Sequence, residues 1–127
     1  MKYVNCTPHV VNILGNDGEE ILAVPPLEDG QIRVTVARQT VEMVDEVEFS
    51  AQVLGDLETG LGYDIVPKHA YAFQERTCVL VSLLVLQHPD LPKDSKYLQF
   101  ASPGEMVRNS DGVILGTKGL NMRDPNA

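Results

Sequence analysis

The chain has few cations for its size. Ten Lys and Arg stand against 18 Asp and Glu, which gives a formal net charge of −8 at pH 7. A protein that binds duplex DNA or an anionic membrane surface needs a basic face. The charge balance therefore argues against both of these partners. It is compatible with a small anionic ligand, because a few cations in one concave pocket are enough to bind one.

Cysteine and histidine are also scarce. Cys6 and Cys78 are the only cysteines, and they do not form a CxxC motif. Both lie in apolar, strand-like segments, which predicts two buried, reduced thiols in an intracellular protein. His9, His69 and His88 are far apart in the sequence, and none has the spacing of a zinc site. No metal or other cofactor is predicted.

Long apolar runs and catalytic motifs are missing as well. The longest apolar run covers residues 78–86, is interrupted by Ser82 and is far too short to span a bilayer. The chain has no GxSxG elbow, no paired His-x-Ser/Thr motifs of a two-histidine phosphodiesterase and no complete glycine-rich phosphate loop. Paired-carboxylate hydrolysis stays open with 18 acids, but no pair stands out. The sequence does not support an enzyme and predicts a protein without a membrane span.

What is present predicts one mainly β domain. A chain of 127 residues with 43% hydrophobic residues can bury a core of its own. Gly15-Asn16-Asp17-Gly18 and Asn109-Ser110-Asp111-Gly112 are strong hairpin signals between β-favouring segments. We expect a single α+β, mainly β domain over residues 1–127, with antiparallel hairpins around a central strand at 78–81 and one short helix. Residues 121–127 are expected to be a frayed tail.

Other segments are less definite. Residues 2–14 predict one strand, and residues 31–38 alternate polar and apolar side chains as a half-buried strand does. Residues 39–49 are acidic and fit either an irregular strand or a loop. Residues 63–75 fit either a helical turn or a loop, because Pro67 interrupts them. Residues 102–105 predict a tight turn.

The first strand contains the most unusual side chains. Asn5, Thr7 and His9 are polar residues within an apolar run, and Pro8 indicates an edge position or a bulge. The three side chains could form one wall of a binding pocket, or they could form a local turn network. Ser82 similarly fits a helix N-cap, or a site where free backbone N–H groups favour an anion.

Two arginines complete the predicted site. The guanidinium groups of Arg33 and Arg108 suit phosphate, although both could instead form surface ion pairs. Tyr3, Tyr71 and Phe100 are apolar or aromatic residues that suit a base. The predicted ligand-binding residues are Asn5, Thr7, His9, Arg33, Ser82 and Arg108.

The opening residues Val4-Asn5-Cys6-Thr7-Pro8-His9 resemble the Asn-Leu-Thr-Pro-His opening of a family of small proteins found in bacteriophages and in bacterial genomes that carry them. Cys6 departs from the usual leucine, and residues 87–99 are longer and more polar than in the family pattern. The similarity covers nearly the whole chain in order, through Val24-Pro25-Pro26, Ile32-Arg33-Val34, Val53-Leu54-Gly55-Asp56-Leu57, Gly60-Leu61, Val79-Leu80-Val81-Ser82, Ser102-Pro103-Gly104-Glu105-Met106-Val107-Arg108, Asp111-Gly112-Val113-Ile114-Leu115-Gly116 and Gly119-Leu120.

The resemblance implies a phage counter-defence protein that acts in the host cytoplasm. Such a protein is a homo-oligomer that binds a cyclic oligonucleotide immune signal and sequesters it without cleavage. Its partner is thus a small nucleotide signal, held by preorganised contacts that often lie at a subunit interface.

Two other functions stay open at this point. One is a nucleotide-processing enzyme that uses His9 as general acid or base. The other is a structural or protein-binding module of the phage. Cleavage of the ligand would favour the first, and a stoichiometric protein partner would favour the second.

Overall fold

Strands make up most of the molecule. The structure is a computed structural model that describes residues 1–124. In chain order the elements are β1 (Lys2–Asn5), β2 (Val11–Leu14), β3 (Glu20–Val24), β4 (Ile32–Val44), β5 (Val47–Thr59), α1 (Ile65–Ala72), β6 (Thr77–Leu80), α2 (Leu83–Leu86), β7 (Leu98–Arg108) and β8 (Ile114–Met122). The predicted mainly β, α+β class is confirmed, and the described residues contain two helices where the sequence indicated one.

Six of the strands form one mixed sheet in the order β1-β6-β7-β8-β2-β3. β2 with β3 and β7 with β8 are antiparallel hairpins, as predicted, whereas β1, β6 and β7 run parallel. The two outer strands then meet, because Asn5 at the end of β1 bridges Pro26 just after β3. The Asn5 carbonyl accepts a hydrogen bond from the Leu27 N–H at 2.8 Å. The sheet therefore curls into a near-barrel, and this closure pairs edge groups that an open sheet would expose.

Strand β6 is the predicted central strand, and all four of its residues are buried. Val79 packs in one hydrophobic cluster with Phe100, while Cys78 and Leu80 pack in the other. Because successive side chains point to opposite faces, β6 is covered on both sides. A continuous apolar run is the pattern that such a strand requires.

Strands β4 and β5 form a separate two-stranded ribbon, with 13 residues in each strand. We call residues 32–59 the arm. Only its base is buried, where Ile32 joins the core and Val34 and Leu57 pack against it. Asp45 and Glu46 form the tip, with φ values of 49° and 65°. Two positive φ angles in a two-residue turn are typical of a type I′ hairpin.

Residues 39–49, which the sequence predicted as either an irregular strand or a loop, are strand and hairpin tip within the arm. Residues 39–49 are the outer half of the ribbon, in regular pairing except for an extra residue at Val41. The acidic composition concealed the strand. Residues 39–49 are all exposed to solvent on the ribbon, so polar and charged side chains are tolerated there.

The predicted strand at residues 2–14 is corrected. It is two strands, β1 and β2, separated by a turn at residues 6–10. The polar residues that looked unusual within a strand are the ones that hold this turn, as described below. An apolar run alone did not reveal the break.

Residues 102–105, predicted as a tight turn, instead continue β7. Pro103 pairs with Leu120 of β8, and β6 no longer flanks β7 there, since their pairing ends at Ala101. Proline is tolerated because no second strand requires its missing N–H. A Cβ on Gly104 would lie 2.5 Å from the Lys118 carbonyl oxygen, so glycine allows the close approach of β8.

Helix α1 occupies most of the ambiguous segment at residues 63–75. Pro67 lies in its first turn, where a backbone N–H would have no helical partner. At the other end of the chain, Asn121 and Met122 pair in β8 although the sequence placed them in a frayed tail. Residues 125–127 of that predicted tail lie outside the described residues. Among the described residues, no helix has the length and apolar character needed to cross a membrane.

Candidate functional site

The polar residues of the opening segment form a buried hydrogen-bond network. The Asn5 side-chain amide donates to the carbonyl oxygens of His9 at 2.7 Å and Val24 at 2.9 Å. Its oxygen accepts from the Thr7 backbone N–H at 2.9 Å and from the Thr7 hydroxyl at 2.6 Å. Asn5 is only 1% exposed. A buried amide satisfied on all these atoms rigidifies the chain around it.

This network lies where the near-barrel closes and where the arm begins. The Cys6 N–H donates to the Leu80 carbonyl at 2.8 Å, and the Cys6 carbonyl accepts from the Ile32 N–H at 3.1 Å. The Val24 bond joins the end of β1 to the end of β3. Of the three polar side chains of the opening segment, those of Asn5 and Thr7 form hydrogen bonds within the turn. The His9 side chain is exposed. The local turn network is thus present.

Ser82 and Arg108 each contact residues of their own segment. The Ser82 hydroxyl accepts from the Val85 N–H at 3.3 Å, so Ser82 is the N-cap of α2, as one of the two interpretations predicted. Arg108 donates to the Gly112 carbonyl at 2.9 Å and thereby supports the hairpin loop that follows it. Both residues are exposed.

Arg33 lies at the base of the arm. Its guanidinium donates to the Gln31 side-chain oxygen, at 2.7 Å from Nε. It lines a cleft of about 540 Å³ together with Leu27, Asp29, Gln31, Glu58, Thr59, Gly60 and Leu61. The predicted site residues therefore divide into one pair in contact, Asn5 and Thr7 beside the His9 backbone, and separate positions for Arg33, Ser82 and Arg108.

A second cleft lies at the end of the near-barrel where β6 and β7 begin and β8 ends. Its volume is about 430 Å³, and none of the six predicted residues lines it. We call it the Arg76 cleft. Its lining residues are Arg76, Asp94, Ser95, Lys96, Leu98, Gln99 and Met122.

The Arg76 cleft is rich in cations. Lys2 and Arg123 also lie at this end, each beside a carboxylate: Lys2 is 3.9 Å from Glu75, and Arg123 is 2.6 Å from Asp94. Within the part of the chain that the structure describes, Arg76 and Lys96 form no ion pair. The described lining residues carry two cations, Arg76 and Lys96, and one carboxylate, Asp94, which is paired with Arg123, so the cleft has an excess of positive charge in a protein of net charge −8.

Polar and aromatic groups surround these cations. Arg76 donates weakly to the Gln99 side-chain oxygen at 3.5 Å, and the Ser95 hydroxyl lies 2.6 Å from the Tyr71 hydroxyl. The Lys96 ammonium lies 5.4 Å from the centre of the Tyr97 ring. Leu98 and Met122 form an apolar wall of the cleft. The cleft can therefore offer hydrogen-bond donors to an anionic ligand group and apolar or aromatic surface to a ligand ring.

Sequence reasoning missed this cleft for a geometric reason. Arg76 precedes β6, Lys96 precedes β7 and Met122 ends β8, so the three are distant in sequence and meet only through strand pairing. One signal was available in the sequence: residues 87–99 are a polar segment, and they carry Ser95, Lys96 and Gln99 of the lining.

Neither cysteine is a reactive group. Burial raises the pKa of the Cys6 thiol to about 12 and that of Cys78 to about 11. Both thiols therefore stay protonated and poorly nucleophilic at neutral pH. Across residues 1–124, no group of three or more His, Cys, Asp or Glu side chains could hold a metal ion. His88 is buried and bonds to the Gly55 carbonyl at 2.7 Å, which ties the arm base to the body.

Comparison with protein-family models, with curated proteins and with solved structures finds no match to this chain.

Proposed function

We propose that this protein is a non-enzymatic phage counter-defence protein that binds and sequesters a cyclic oligonucleotide immune signal in the host cytoplasm. The proposal rests on the resemblance of its opening motif and on one observation of the structure. That observation is the Arg76 cleft, a concave surface of an acidic protein lined by Arg76 and Lys96, which form no ion pair with the residues that the structure describes, and by Asp94, which is paired with Arg123.

The phosphates are the first part of the ligand to consider. Arg76 offers a planar fork that suits phosphate oxygens, and Lys96 adds a flexible ammonium. Both side chains are exposed at the cleft. Because neither forms an ion pair with the described residues, neither has to break one before it contacts the ligand. Gln99 and Ser95 add neutral hydrogen-bonding groups that can fix orientation.

The bases are the second part. Leu98, Met122 and the partly buried Tyr97 supply apolar and aromatic surface next to the cations. A volume of about 430 Å³ lies within the range of about 300–1,000 Å³ that is usual for small-molecule sites. Neither a histidine nor a cysteine is among the described residues that line the cleft, which favours holding the ligand over cleaving it.

The test is binding followed by recovery. Purified protein is titrated calorimetrically with a panel of cyclic di- and trinucleotides, and the bound fraction is heat-denatured and analysed by mass spectrometry. We expect one signal to bind and to be released intact. Absence of binding across the panel contradicts the proposal, and a cleaved product that disappears in His9→Ala favours the enzyme instead.

Variants locate the site. Arg76→Ala and Lys96→Ala should each weaken binding about 10- to 100-fold, the effect of losing a hydrogen bond to a charged group. Arg38→Ala is the matched control, because it removes the same charge from an exposed position on the arm. Arg33→Ala and Arg108→Ala test the residues that the sequence predicted. Loss of binding in those two, with Arg76→Ala unaffected, would move the site away from the Arg76 cleft.

A further inference from the structure

One wall of the Arg76 cleft belongs to a segment without helix or strand. Residues 91–97 lie between α2 and β7, and residues 94–96 all line the cleft. Leu91 anchors one end of the segment in the core, and near the other end the Ser95 N–H donates to the Leu98 carbonyl at 2.8 Å. Because the segment has no strand partner along its length, its shape depends on side chains that reach it from other elements.

One of these side chains is that of Arg123, which directly follows β8. Its guanidinium donates to the carbonyl oxygens of Leu91 at 3.2 Å and Pro92 at 2.6 Å, and to the Asp94 carboxylate at 2.6 Å. Its central carbon lies 5.5 Å from the centre of the buried Phe100 ring, which is within reach of a cation–π contact. A planar group with several fixed donors suits such a set of acceptors. Arg123 therefore holds the segment against the end of the near-barrel.

The contact with Asp94 has an electrostatic consequence for the cleft. Asp94 is the one acidic residue among the described residues that line it, where Arg76 and Lys96 are the cations. Its Oδ1 accepts from Arg123 and from the Phe100 N–H at 3.2 Å, so this oxygen is already engaged by donors of the protein. The two side chains of the ion pair are 33% and 22% exposed, which limits screening by solvent and salt. Without Arg123, the carboxylate would be an unpaired negative charge in the cleft.

We propose that Arg123 is a positioning residue of this cleft: it neutralises Asp94, so that the two lining cations meet an anionic ligand without competition. The proposal rests on the proposed function, in which this cleft receives the phosphates of the ligand. An unpaired Asp94 opposes binding in two ways, because it repels the anion and attracts the cations that the anion needs. Arg123 is not among the described lining residues, so it acts through Asp94 and not by contact with the ligand.

The probe is inorganic pyrophosphate, and its binding is followed by heteronuclear NMR of the full chain. The backbone N–H signals of Ser95, Lys96 and Gln99 report binding in the cleft and give the dissociation constant. Arg123→Gln removes the charge but keeps a donor for the carbonyl acceptors. We expect it to raise the dissociation constant about tenfold or more, because a like charge then faces the probe. Arg38→Gln, at an exposed position on the arm, is the matched control and should bind as the parent does.

A second substitution separates this charge effect from a purely structural one. The double variant Arg123→Gln with Asp94→Asn should bind pyrophosphate within about threefold of the parent, because the competing carboxylate is gone. A structural role alone predicts no recovery, since the double variant has lost the ion pair that holds the segment. Asp94→Asn by itself leaves the bonds from Arg123 to the backbone carbonyls and should bind at least as tightly as the parent. Arg123→Lys keeps the charge and should stay within about threefold of the parent.

Three results overturn the proposal: a parent whose cleft signals do not respond to pyrophosphate, an Arg123→Gln variant that binds as the parent does, and a double variant as weak as the single one. Should Arg123→Gln fail to fold, as judged by circular dichroism, Asp94→Asn decides, and weakening there by more than about threefold contradicts the proposal. The cyclic nucleotide panel decides the proposed function separately. A panel without a ligand, together with the expected pyrophosphate results, removes the nucleotide and keeps the role of Arg123 at an anion site. A bound nucleotide whose affinity is unchanged in Arg123→Gln does the reverse.

Discussion

Replacing Asn5 by alanine should be one of the most damaging single changes at the point where the near-barrel closes, because the Asn5 side chain is buried there. The Asn5 side chain makes two donor bonds to carbonyl oxygens and accepts from the backbone and the hydroxyl of Thr7. A buried hydrogen bond contributes about 1 kcal/mol net, and the groups left without partners add to the loss. We expect Asn5→Ala to lower the free energy of unfolding by about 3–5 kcal/mol. That is a large part of the roughly 5–15 kcal/mol of a typical domain.

The assay is urea unfolding followed by far-ultraviolet circular dichroism at one fixed protein concentration. Asn16→Ala is the matched control, because Asn16 is exposed in the first hairpin turn and should change stability by no more than about 0.5 kcal/mol. Thr7→Val removes the hydroxyl but keeps the backbone N–H bond to Asn5, so about 1 kcal/mol is expected.

The outcome also separates two roles for the opening motif. A loss of less than about 1 kcal/mol in Asn5→Ala would refute the view that this side chain closes the near-barrel. If stability is then unchanged but ligand binding is lost, Asn5 belongs to the binding site that the sequence predicted. If stability falls as expected, the motif acts first as a structural lock.

Two further predictions concern the core and the arm. Because burial raises the folded-state pKa of Cys6 to about 12 and of Cys78 to about 11, above the ordinary value of 9.0, the unfolded chain loses these thiol protons first. Stability should therefore be unaffected by the thiols below pH 9 and fall as the pH rises from 9 towards 12, with a smaller slope in Cys6→Ala. A pH-independent free energy of unfolding over that window would contradict this. His88→Ala removes the bond to the Gly55 carbonyl and the one that His88 Nδ1 accepts from the Asp90 N–H. It should speed hydrogen exchange in β5 near Gly55 while leaving β7 and β8 unchanged, and uniform acceleration across the molecule would argue against a local role.

Local residue patterns predicted much of the fold. Both hairpins at residues 15–18 and 109–112 follow from turn chemistry, since glycine and asparagine there permit the backbone that a tight turn needs. The buried strand β6 and the N-cap at Ser82 follow from an apolar run and from a hydroxyl ahead of a short helix. These features depend on neighbours in sequence.

Other elements depended on what lies across the sheet. Residues 102–105 carry turn chemistry, yet they extend β7 because β8 pairs with them and packs closely on Gly104. Residues 39–49 carry acidic side chains typical of a loop, yet register with β5 keeps them in a ribbon. Pairing partners far along the chain overruled local preference in both places.

The candidate sites likewise combine features that depend on sequence neighbours with features that depend on strand pairing. By itself the sequence determined that Asn5 and Thr7 are polar residues within an apolar run, that the chain is acidic, and that Ser82 is able to cap a helix, because each follows from side-chain chemistry within a few residues. Only the tertiary structure decided that the Asn5 amide closes a near-barrel, that Arg76 and Lys96 share one cleft, and that the arm exposes apolar side chains. Those facts depend on strand order, and strand order joins residues that no local pattern connects.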